Sequence, residues 1–408
     1  MKLVSKHSEN KKLVGNVLTI AGQAREAKAK NPNVIDATVG SLYDESGKML
    51  EFSVVNKVIA NMTYAEKYSY STTDGGALFA SGIMKWTLRG NYEEVLSKMH
   101  CRVVATPGGT GAISSTMANY LNPGDTILIP HICWGPYSNM AYEHFCKVET
   151  YQMFDENDKF NLKQFKEKIA SIKEKQGRVY TIINDPCQNP TGYFLSDEEW
   201  DEIIDYINEI SKDVPFILVY DMAYIDYSHK GIDGSRDVFK KFTRFNENVM
   251  VVSCFSGSKT FSLYGLRIGA AMCITKSKEA SEDFFYATEY MARSSWSNTA
   301  KLGVSLVGKL MNDEDLTNEF LAEIKKSSQM LLDRSNLFLK EANDIGLKMY
   351  PYKSGFFVTI PCDGFSVYER LKAKDIHVVP FKNAIRISLS AISLKEIKGL
   401  AQKLAQEL

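Results

Sequence analysis

The stretch that decides the fold is Ser-Gly-Ser-Lys-Thr-Phe-Ser-Leu-Tyr-Gly-Leu-Arg-Ile-Gly, residues 256–269. It follows the apolar run 249–254, whose length and composition predict a buried strand. Lys259 therefore lies just past the end of a strand, where open α/β sheets collect their ligands. A lysine at such a position can form a Schiff base with a carbonyl compound.

The neighbours of Lys259 suit a phosphate group. Small residues let the backbone approach a ligand closely, and Ser256 and Arg267 can supply a hydroxyl and a planar cation. A Schiff-base lysine beside a phosphate anchor predicts pyridoxal 5′-phosphate. The spacing resembles the class I aminotransferases, in which Ser-x-x-Lys is followed eight residues later by arginine. An ordinary surface lysine and arginine on a glycine-rich loop are the alternative, because short motifs give false positives.

Length and composition restrict the kind of protein. The chain has 408 residues, of which 44% are hydrophobic and 24% charged, enough for two domains or for a large one with an appendage. Its 49 basic and 49 acidic residues balance and form no long blocks of like charge. No partner nucleic acid or anionic membrane is therefore expected, and small-molecule chemistry is the default.

Cysteine and histidine usage points to a reducing compartment and away from metal chemistry. The seven cysteines include no Cys-x-x-Cys pair, and several lie in apolar runs, which indicates reduced thiols and a cytoplasmic protein. The sequence offers neither a signal peptide nor an apolar run long enough to span a bilayer. Its six histidines are scattered without His-x-x-x-His, so no metal site is expected.

A second glycine-rich turn lies at residues 106–113, Thr-Pro-Gly-Gly-Thr-Gly-Ala-Ile, before a helical pattern. A turn that opens a helix aims free N–H groups at an anion, and the helix dipole adds to the attraction. Gly109, Thr110 and Gly111 are therefore predicted to cradle the phosphate. A tight strand-to-helix turn without a ligand would look the same, and position within the family's series of motifs favours the phosphate.

Asp221 follows the fully apolar run 215–220, which predicts another buried strand. A carboxylate placed there needs a partner, because an isolated buried charge is costly. The proposed partner is the protonated pyridine nitrogen of the cofactor, and this ion pair keeps the ring an electron sink. The resemblance gives Tyr224, in Asp-x-Ala-Tyr, a hydrogen bond to the cofactor's phenolic oxygen. A helix-capping role for Asp221 is the alternative.

Two further motifs resemble cofactor contacts of the family. Trp134, in Trp-Gly, corresponds to the ring that stacks on the pyridine, and Asn189, in Asn-Pro-Thr-Gly, to the amide that binds the phenolic oxygen. A core tryptophan and a simple turn are the alternatives. Where the family's aspartate enzymes often carry Asn-His after Trp-Gly, this chain has Pro136 and Tyr137.

Two motifs imply a second subunit. Tyr70, in Tyr-x-x-x-Asp-Gly, resembles the tyrosine that reaches the cofactor phosphate of the neighbouring subunit. Arg293, in Arg-x-x-aromatic-Ser-Asn, resembles the arginine that enters the neighbouring site and pairs with the distal carboxylate of the substrate. The resemblance therefore implies a homodimer with shared active sites. A buried or capping tyrosine and a solvated arginine are the alternatives.

The remaining substrate contacts come from the two ends of the chain. Arg386 alternates with apolar residues on a predicted strand, where an unpaired arginine is expensive, so the substrate α-carboxylate is its expected partner. Residues 34–43 resemble the segment that covers the substrate, with Gly40 retained. Thr38 stands where the family usually has glycine and is expected to narrow the pocket.

The resemblance covers nearly the whole chain and implies the aspartate aminotransferase-type fold, an α/β fold with a mostly parallel, seven-stranded type of sheet and a smaller α+β domain. The expected division is an arm and part of the small domain (1–45), a large cofactor-binding domain (46–314) and the rest of the small domain (315–408). The implied activity moves an amino group from aspartate, glutamate or an aromatic amino acid to a 2-oxo acid such as 2-oxoglutarate. A pyridoxal-phosphate lyase or decarboxylase and a non-catalytic binding or regulatory protein stay open as alternatives.

Overall fold

The computed structural model describes residues 3–9, 11–13 and 17–408. Residues 1–2, 10 and 14–16 of the predicted amino-terminal arm lie outside this part of the chain. A helix runs from Val17 to Lys30 and buries Ile20, Ala21 and Ala24, which are spaced so that they lie on one face.

Twelve strands form within the described ranges. They are β1 (Ile35–Asp36), β2 (His100–Pro107), β3 (Thr126–Pro130), β4 (Lys147–Tyr151), β5 (Val179–Asn184), β6 (Phe216–Asp221), β7 (Val249–Ser256), β8 (Ile268–Thr275), β9 (Phe357–Pro361), β10 (Ile376–His377), β11 (Val379–Phe381) and β12 (Ala384–Ser388). Seven of them make one sheet in the order β2-β8-β7-β6-β5-β3-β4. Its neighbouring strands are parallel except at β8, which runs antiparallel to β2 and β7. The expected mostly parallel sheet is confirmed.

Helices alternate with the strands. The α-helices are α1 (Val17–Lys30), α2 (Ser53–Ala60), α3 (Tyr64–Tyr68), α4 (Ala77–Leu88), α5 (Tyr92–Lys98), α6 (Gly108–Tyr120), α7 (Pro136–Glu143), α8 (Leu162–Gln176), α9 (Asp197–Ile210), α10 (Gly231–Gly234), α11 (Val238–Phe242), α12 (Gly257–Thr260), α13 (Lys278–Ser295), α14 (Lys301–Leu310), α15 (Glu314–Asp344), α16 (Gly364–Lys372), α17 (Leu394–Ile397) and α18 (Leu400–Ala405). Short 3-10 turns occur at Lys6–Ser8, Arg89–Asn91, Ile225–Tyr227 and Tyr264–Leu266. Among these described helices, none has the length and apolar content needed to cross a bilayer.

The large sheet separates two apolar cores. In β6, Leu218 and Tyr220 join the core on one face, whereas Ile217 and Val219 join the core on the other. Successive side chains of a strand point to opposite faces, so a strand covered on both sides must be apolar throughout. Helices α4, α9 and α14 cover the first face, and α6 and α13 cover the second. This burial explains why the sequence of β6 shows a continuous apolar run.

A third core belongs to both ends of the chain. Strands β11, β12 and β9 form an antiparallel sheet, and β1 pairs in parallel with β10, which places Ile35 opposite Ile376. Helix α15 joins the cores, since Phe320 packs against the large sheet and Phe338 packs in the third core. The domain boundaries at 45/46 and 314/315 stay a prediction, which this sharing of the third core supports.

The direction of β8 positions the candidate site. Because β8 is antiparallel to its neighbours, its first residues lie beside the carboxyl ends of β2 and β7. Gly269 is thereby paired with both Thr106 and Ser256. Arg267, immediately before β8, therefore reaches the edge of the sheet at which the parallel strands end.

Candidate active site

A cavity opens at the carboxyl ends of β5, β6 and β7. Their last residues are Asn184, Asp221 and Ser256. The cavity wall consists of Gly109, Thr110, Ile113, Trp134, Asn184, Asn189, Asp221, Ala223, Tyr224, Ser256, Ser258, Lys259 and Arg267. Nine of the eleven residues predicted to contact the cofactor are on this wall, and the other two, Gly111 and Tyr70, are not.

One end of the cavity is suited to an anion. Helix α6 begins here, and its first-turn N–H groups have no partner within the helix. Arg267 Nη1 lies 2.9 Å from Ser258 Oγ, to which it donates a hydrogen bond. Gly108 makes this approach possible, because a Cβ at that position would lie 2.4 Å from Arg267 Nη2. A helix amino terminus, a guanidinium and two hydroxyls, of Ser256 and Ser258, therefore converge on one point.

Gly111 lies one turn deeper in α6 and is buried. A Cβ built on it would lie 2.5 Å from Pro107 Cδ, so the missing side chain serves the packing of the helix against the end of β2. Of the three residues of the predicted cradle, Gly109 and Thr110 line the cavity and Gly111 does not.

Lys259 lies in α12, directly after β7, and its amine faces the cavity. Its Nζ is 5.6 Å from the ring centre of Tyr224 and 5.7 Å from that of Tyr264. Desolvation by the surrounding protein lowers the pKa of this amine to about 8, and the charge of Asp221 opposes the shift only partly. In the described part of the chain, Lys259 has no ion-pair partner. A neutral, nucleophilic amine is therefore accessible near physiological pH.

A buried network holds the Lys259 turn from behind. Tyr227 donates its hydroxyl to the carbonyl oxygen of Lys259 at 3.1 Å, and Thr260 Oγ1 donates to Asp226 Oδ2 at 2.6 Å. Asp226 also pairs with Arg236 at 2.5 Å, and both side chains are almost fully removed from solvent. The backbone of the lysine turn is thus fixed by an ion pair in the protein interior.

Asp221 is buried and keeps two hydrogen-bond donors. Tyr137 donates its hydroxyl to Oδ2 at 2.5 Å, and the N–H of Ala223 donates to Oδ1 at 3.1 Å. Burial raises the pKa of the Asp221 carboxyl, whereas the Tyr137 hydrogen bond acts in the opposite direction. The expectation that this carboxylate needs partners is met within the chain, and the carboxylate still lines the cavity.

One part of the cavity wall is a chain of side-chain amides. Asn184 donates its side-chain N–H to the carbonyl oxygen of Asp221 at 2.7 Å and accepts the backbone N–H of Asn189 at 2.7 Å. Asn189 Nδ2 in turn donates to the Tyr224 hydroxyl at 3.3 Å. Asn189 and Tyr224 therefore approach the same point in the cavity from neighbouring loops.

Arg386 lies in β12, next to this wall, and is 4% exposed. It donates from Nη1 to Asn189 Oδ1 at 3.0 Å and from Nη2 to the carbonyl oxygen of Thr38 at 2.8 Å. Its Nε is buried and has no hydrogen-bond partner among the described residues. Burial lowers the pKa of the guanidinium to about 10. A buried cation with an unused donor needs an anion from outside the chain.

The segment at residues 34–43 contacts Arg386 through its backbone and through Phe357. Thr38 turns its hydroxyl to Asp36 Oδ1 at 2.5 Å, and its carbonyl oxygen is the part that contacts Arg386. Gly40 lies against Phe357, because a Cβ there would be 2.7 Å from Cζ of that ring. Phe357 in turn lies under Arg386, whose Cζ is 4.1 Å from the ring centre. The side chain of Thr38 does not line the cavity.

Tyr70 and Arg293 do not line the cavity of their own chain. Tyr70 is 90% exposed. Arg293 is exposed in the last turn of α13, where it donates to Ser297 Oγ at 2.6 Å. Both side chains are therefore exposed to contact with another molecule.

The sequence analysis did not assign Asn184 or Ser258 to the site. Asn184 is paired in the sheet with Asp221, so the rule that ligands collect at strand ends could have found it. Ser258 immediately precedes Lys259, and its hydroxyl became recognisable only through its contact with Arg267. No group of three or more potential metal-ligating side chains occurs within the described ranges.

Asp185, beside the amide wall, leads to a prediction on pH. It is buried and accepts hydrogen bonds from the Leu195 N–H at 2.8 Å and from Trp200 Nε1 at 3.2 Å. Burial nevertheless raises its pKa from 3.8 to about 6. The folded state then holds this proton more tightly than the unfolded state does. The resulting stabilisation is complete below the unfolded pKa and is lost as pH rises through the folded pKa.

We therefore compare the free energy of unfolding of the native protein with that of Asp185→Asn. As pH rises from 4 to 7, we expect the native value to fall by up to about 3 kcal/mol relative to the variant. The variant cannot ionise at this position, so the difference between the two proteins isolates Asp185 from all other titrating groups. Urea unfolding midpoints measured at each pH give this difference. A difference that stays constant with pH would show that Asp185 is ionised without cost.

The comparisons with known proteins agree with one another. The profile of the family described as aminotransferase class I and II matches residues 32–404, which include the predicted site residues from Thr38 to Arg386. A mitochondrial aspartate aminotransferase from Dictyostelium discoideum is 24% identical over 387 residues, 93% of this chain and 88% of the relative.

Solved structures are similar over the full length. An aminotransferase from Anaerococcus prevotii has a TM-score of 0.95 and 31% identity, covering 100% of this chain and 99% of that one. An aromatic-amino-acid aminotransferase from Burkholderia pseudomallei, covalently bound to pyridoxal phosphate, has a TM-score of 0.80 and 21% identity, covering 99% and 100%. The latter likeness concerns the fold alone.

Proposed function

Because this chain belongs to the class I and II aminotransferase family and has the aspartate aminotransferase-type fold, we propose that its cavity binds pyridoxal 5′-phosphate and that the enzyme acts on aspartate, glutamate or aromatic L-amino acids. The family is generally pyridoxal-phosphate-dependent, and the enzyme is a transaminase. The carrying observation is that Lys259, without an ion pair in the described chain, shares one cavity with an anion-binding end and the buried carboxylate of Asp221.

The donors around the cavity fit the parts of this cofactor. Ser256, Ser258 and Arg267, with the start of α6, suit its phosphate, and Asp221 suits its ring nitrogen. Trp134 supplies a ring on which the pyridine can stack. Asn189 and Tyr224 suit the phenolic oxygen, because their hydrogen bond to each other places both polar groups at the same point. When bound, pyridoxal phosphate supplies an aldehyde for amines and an electron-accepting ring.

Lys259 has two tasks in this proposal. Its amine would hold the cofactor, and once free it would take the proton from the substrate Cα. A base is most effective when its pKa lies near the working pH, and the pKa of about 8 caused by burial meets this condition. Asp221 stays ionised beside the ring nitrogen. The base and the partner of the ring nitrogen are therefore two different residues.

Arg386 orients the substrate. Its unused Nε–H is directed at no described residue, and a planar guanidinium can bind the α-carboxylate of an amino acid in a bidentate manner. Phe357 supports the guanidinium from below, and Gly40 leaves room for that ring. The second carboxylate of a dicarboxylic substrate is then left for Arg293.

The active enzyme is a homodimer in this proposal. Tyr70 and Arg293 are exposed and do not line the cavity of their own chain, which leaves them available to complete a neighbouring site. Tyr64, Tyr68 and Tyr290 are also exposed, although large aromatic side chains favour burial. A second copy would cover this surface.

We place the enzyme in the cytoplasm. All seven cysteines are free thiols, and Cys187, Cys254 and Cys273 are buried in the cores. Burial raises the pKa of the Cys187 thiol to about 12, which keeps it protonated and unreactive. Unpaired thiols in this number are typical of a reducing compartment.

The substrate assignment is tested with Arg293→Leu. We expect kcat/KM for aspartate to fall about 100-fold, because a charge-assisted contact to the distal carboxylate is lost, and kcat/KM for phenylalanine to change less than about threefold. The assay follows oxaloacetate or phenylpyruvate formed with 2-oxoglutarate as amino acceptor. Lys278→Leu removes a cation from the exposed start of the same helix and should change neither value.

The native protein is first mixed with aspartate and no 2-oxo acid. One equivalent of oxaloacetate and loss of the visible cofactor band are expected. An eliminated fragment or carbon dioxide in place of the oxo acid would contradict the transamination proposal. Equal losses for aspartate and phenylalanine in Arg293→Leu would contradict the role of Arg293.

A further inference from the structure

Tyr137 contacts two residues of the cavity wall, Asp221 and Trp134, from inside the protein. It lies in the first turn of α7, is 1% exposed, and donates its hydroxyl to Asp221 Oδ2 at 2.5 Å. The hydroxyl is the only side-chain donor recorded on this carboxylate among the described residues; the other donor is the backbone N–H of Ala223. A buried carboxylate with one side-chain donor depends strongly on that donor.

The tyrosine ring is itself held in place. Its backbone N–H donates to the carbonyl oxygen of Trp134 at 3.1 Å, and its ring packs edge-on against the Trp134 ring at 5.4 Å. Trp134 and Asp221 both line the cavity, and Tyr137 does not. Tyr137 therefore links two residues of the cavity wall from outside the cavity.

We propose that Tyr137 is a positioning residue that keeps Asp221 ionised and oriented into the cofactor cavity by means of a donor that carries no charge. The inference rests on the proposed function, since Asp221 is the residue assigned there to the cofactor's ring nitrogen. Tyr137 stands where the aspartate enzymes that the sequence resembles often carry histidine. A neutral phenol has no charge change between about pH 5 and pH 8, the range in which an imidazole titrates.

Other titratable groups face the same carboxylate and define the background. Lys259 on α12 and Tyr224 after β6 interact electrostatically with Asp221, as does Cys254 on the adjacent β7. Burial raises the pKa of the Cys254 thiol and of the Tyr137 phenol well above their usual ranges, so both stay neutral. Lys259 is the group among these that changes charge near neutral pH.

The experiment therefore uses a probe that cannot bond to Lys259. Pyridoxine 5′-phosphate retains the ring nitrogen and the phosphate but has no aldehyde. Its dissociation constant is measured by fluorescence between pH 5 and pH 9 for the cofactor-free native protein and for Tyr137→Phe. Loss of the donor disfavours the carboxylate, so we expect the pH midpoint of binding to rise by about one unit and affinity at pH 6 to fall about 10-fold.

Tyr180→Phe is the matched control. Tyr180 is also 1% exposed and packs in the same core as Tyr137, but its hydroxyl has no hydrogen-bond partner in the described chain. Its removal should leave the binding profile superimposed on the native one. In an Asp221→Asn background, Tyr137→Phe should cause no further loss, because the charge that it supports is already absent.

The outcomes separate this inference from the proposed function. A Tyr137→Phe profile that coincides with those of the native protein and Tyr180→Phe would overturn the positioning role and leave the transaminase proposal intact. A raised midpoint in Tyr137→Phe, combined with a native protein that transfers no amino group, would support the positioning role alone. Absence of probe binding by the native protein would overturn both. If Tyr137→Phe does not fold, Tyr137→His, which retains a ring N–H donor, must bind the probe with a midpoint that now depends on the imidazole charge, and an unchanged midpoint overturns the inference.

Discussion

Lys259→Ala is expected to lower kcat for aspartate by at least about 10 000-fold, because the substitution removes both the covalent attachment of the cofactor and the base that moves the Cα proton. Binding of pyridoxal phosphate should persist, since the donors at the anion-binding end of the cavity are unchanged. Two measurements check this: the steady-state rate, and the intact mass after borohydride reduction, which should show a covalent cofactor only in the native protein.

Lys353→Ala is the control for this change. Lys353 is another partly buried lysine whose pKa is lowered by desolvation, but its Nζ donates to the carbonyl oxygen of Phe194 at 2.8 Å and does not line the cavity. Its replacement should leave the covalent adduct in place and kcat within about threefold of native. If Lys259→Ala retained more than about 1% of the native rate, another residue would have to be the base.

The second large effect concerns stability. Asp226→Ala should reduce the free energy of unfolding by about 3–5 kcal/mol, because it leaves Arg236 as an uncompensated charge in the interior. The same substitution removes the acceptor for Thr260 Oγ1, so the Lys259 turn should also lose its fixed position. Urea unfolding and the affinity for pyridoxal phosphate measure the two consequences.

Asp344→Ala provides the comparison for an exposed ion pair. Asp344 pairs with Lys340 at 2.7 Å, but both side chains are more than half exposed, so its loss should cost less than about 0.5 kcal/mol. The double variant Asp226→Ala with Arg236→Met should recover part of the loss, because no unpaired charge remains. Similar costs for Asp226→Ala and Asp344→Ala would show that the interior ion pair contributes no more than a surface one.

Much of the fold was predictable because local patterns were strong. Apolar runs located β6 and β7 to within about two residues. The last helical segment is divided into α17 and α18, because Gly399 adopts a left-handed conformation between them.

The site was predictable where a motif carries its own geometry and unpredictable where two distant segments create a contact. Lys259, Asp221 and Arg267 could be identified from strand ends and spacing. The contact of Tyr137 with Asp221 depends on how α7 packs over the sheet, and no local period encodes it. Likewise, the contact of the Thr38 carbonyl oxygen with Arg386 was not predicted, because the sequence analysis considered only the side chain of Thr38.

The pairing of β1 with β10 has a consequence for biosynthesis. Ile35 is synthesised long before Ile376, its partner in the parallel pair. The large sheet can therefore assemble first, while the rest of the core that buries Ile20, Ile35 and Leu42 has not yet been synthesised. An apolar segment that stays uncovered throughout translation is a natural substrate for chaperones, and a truncation before β10 would leave it uncovered permanently.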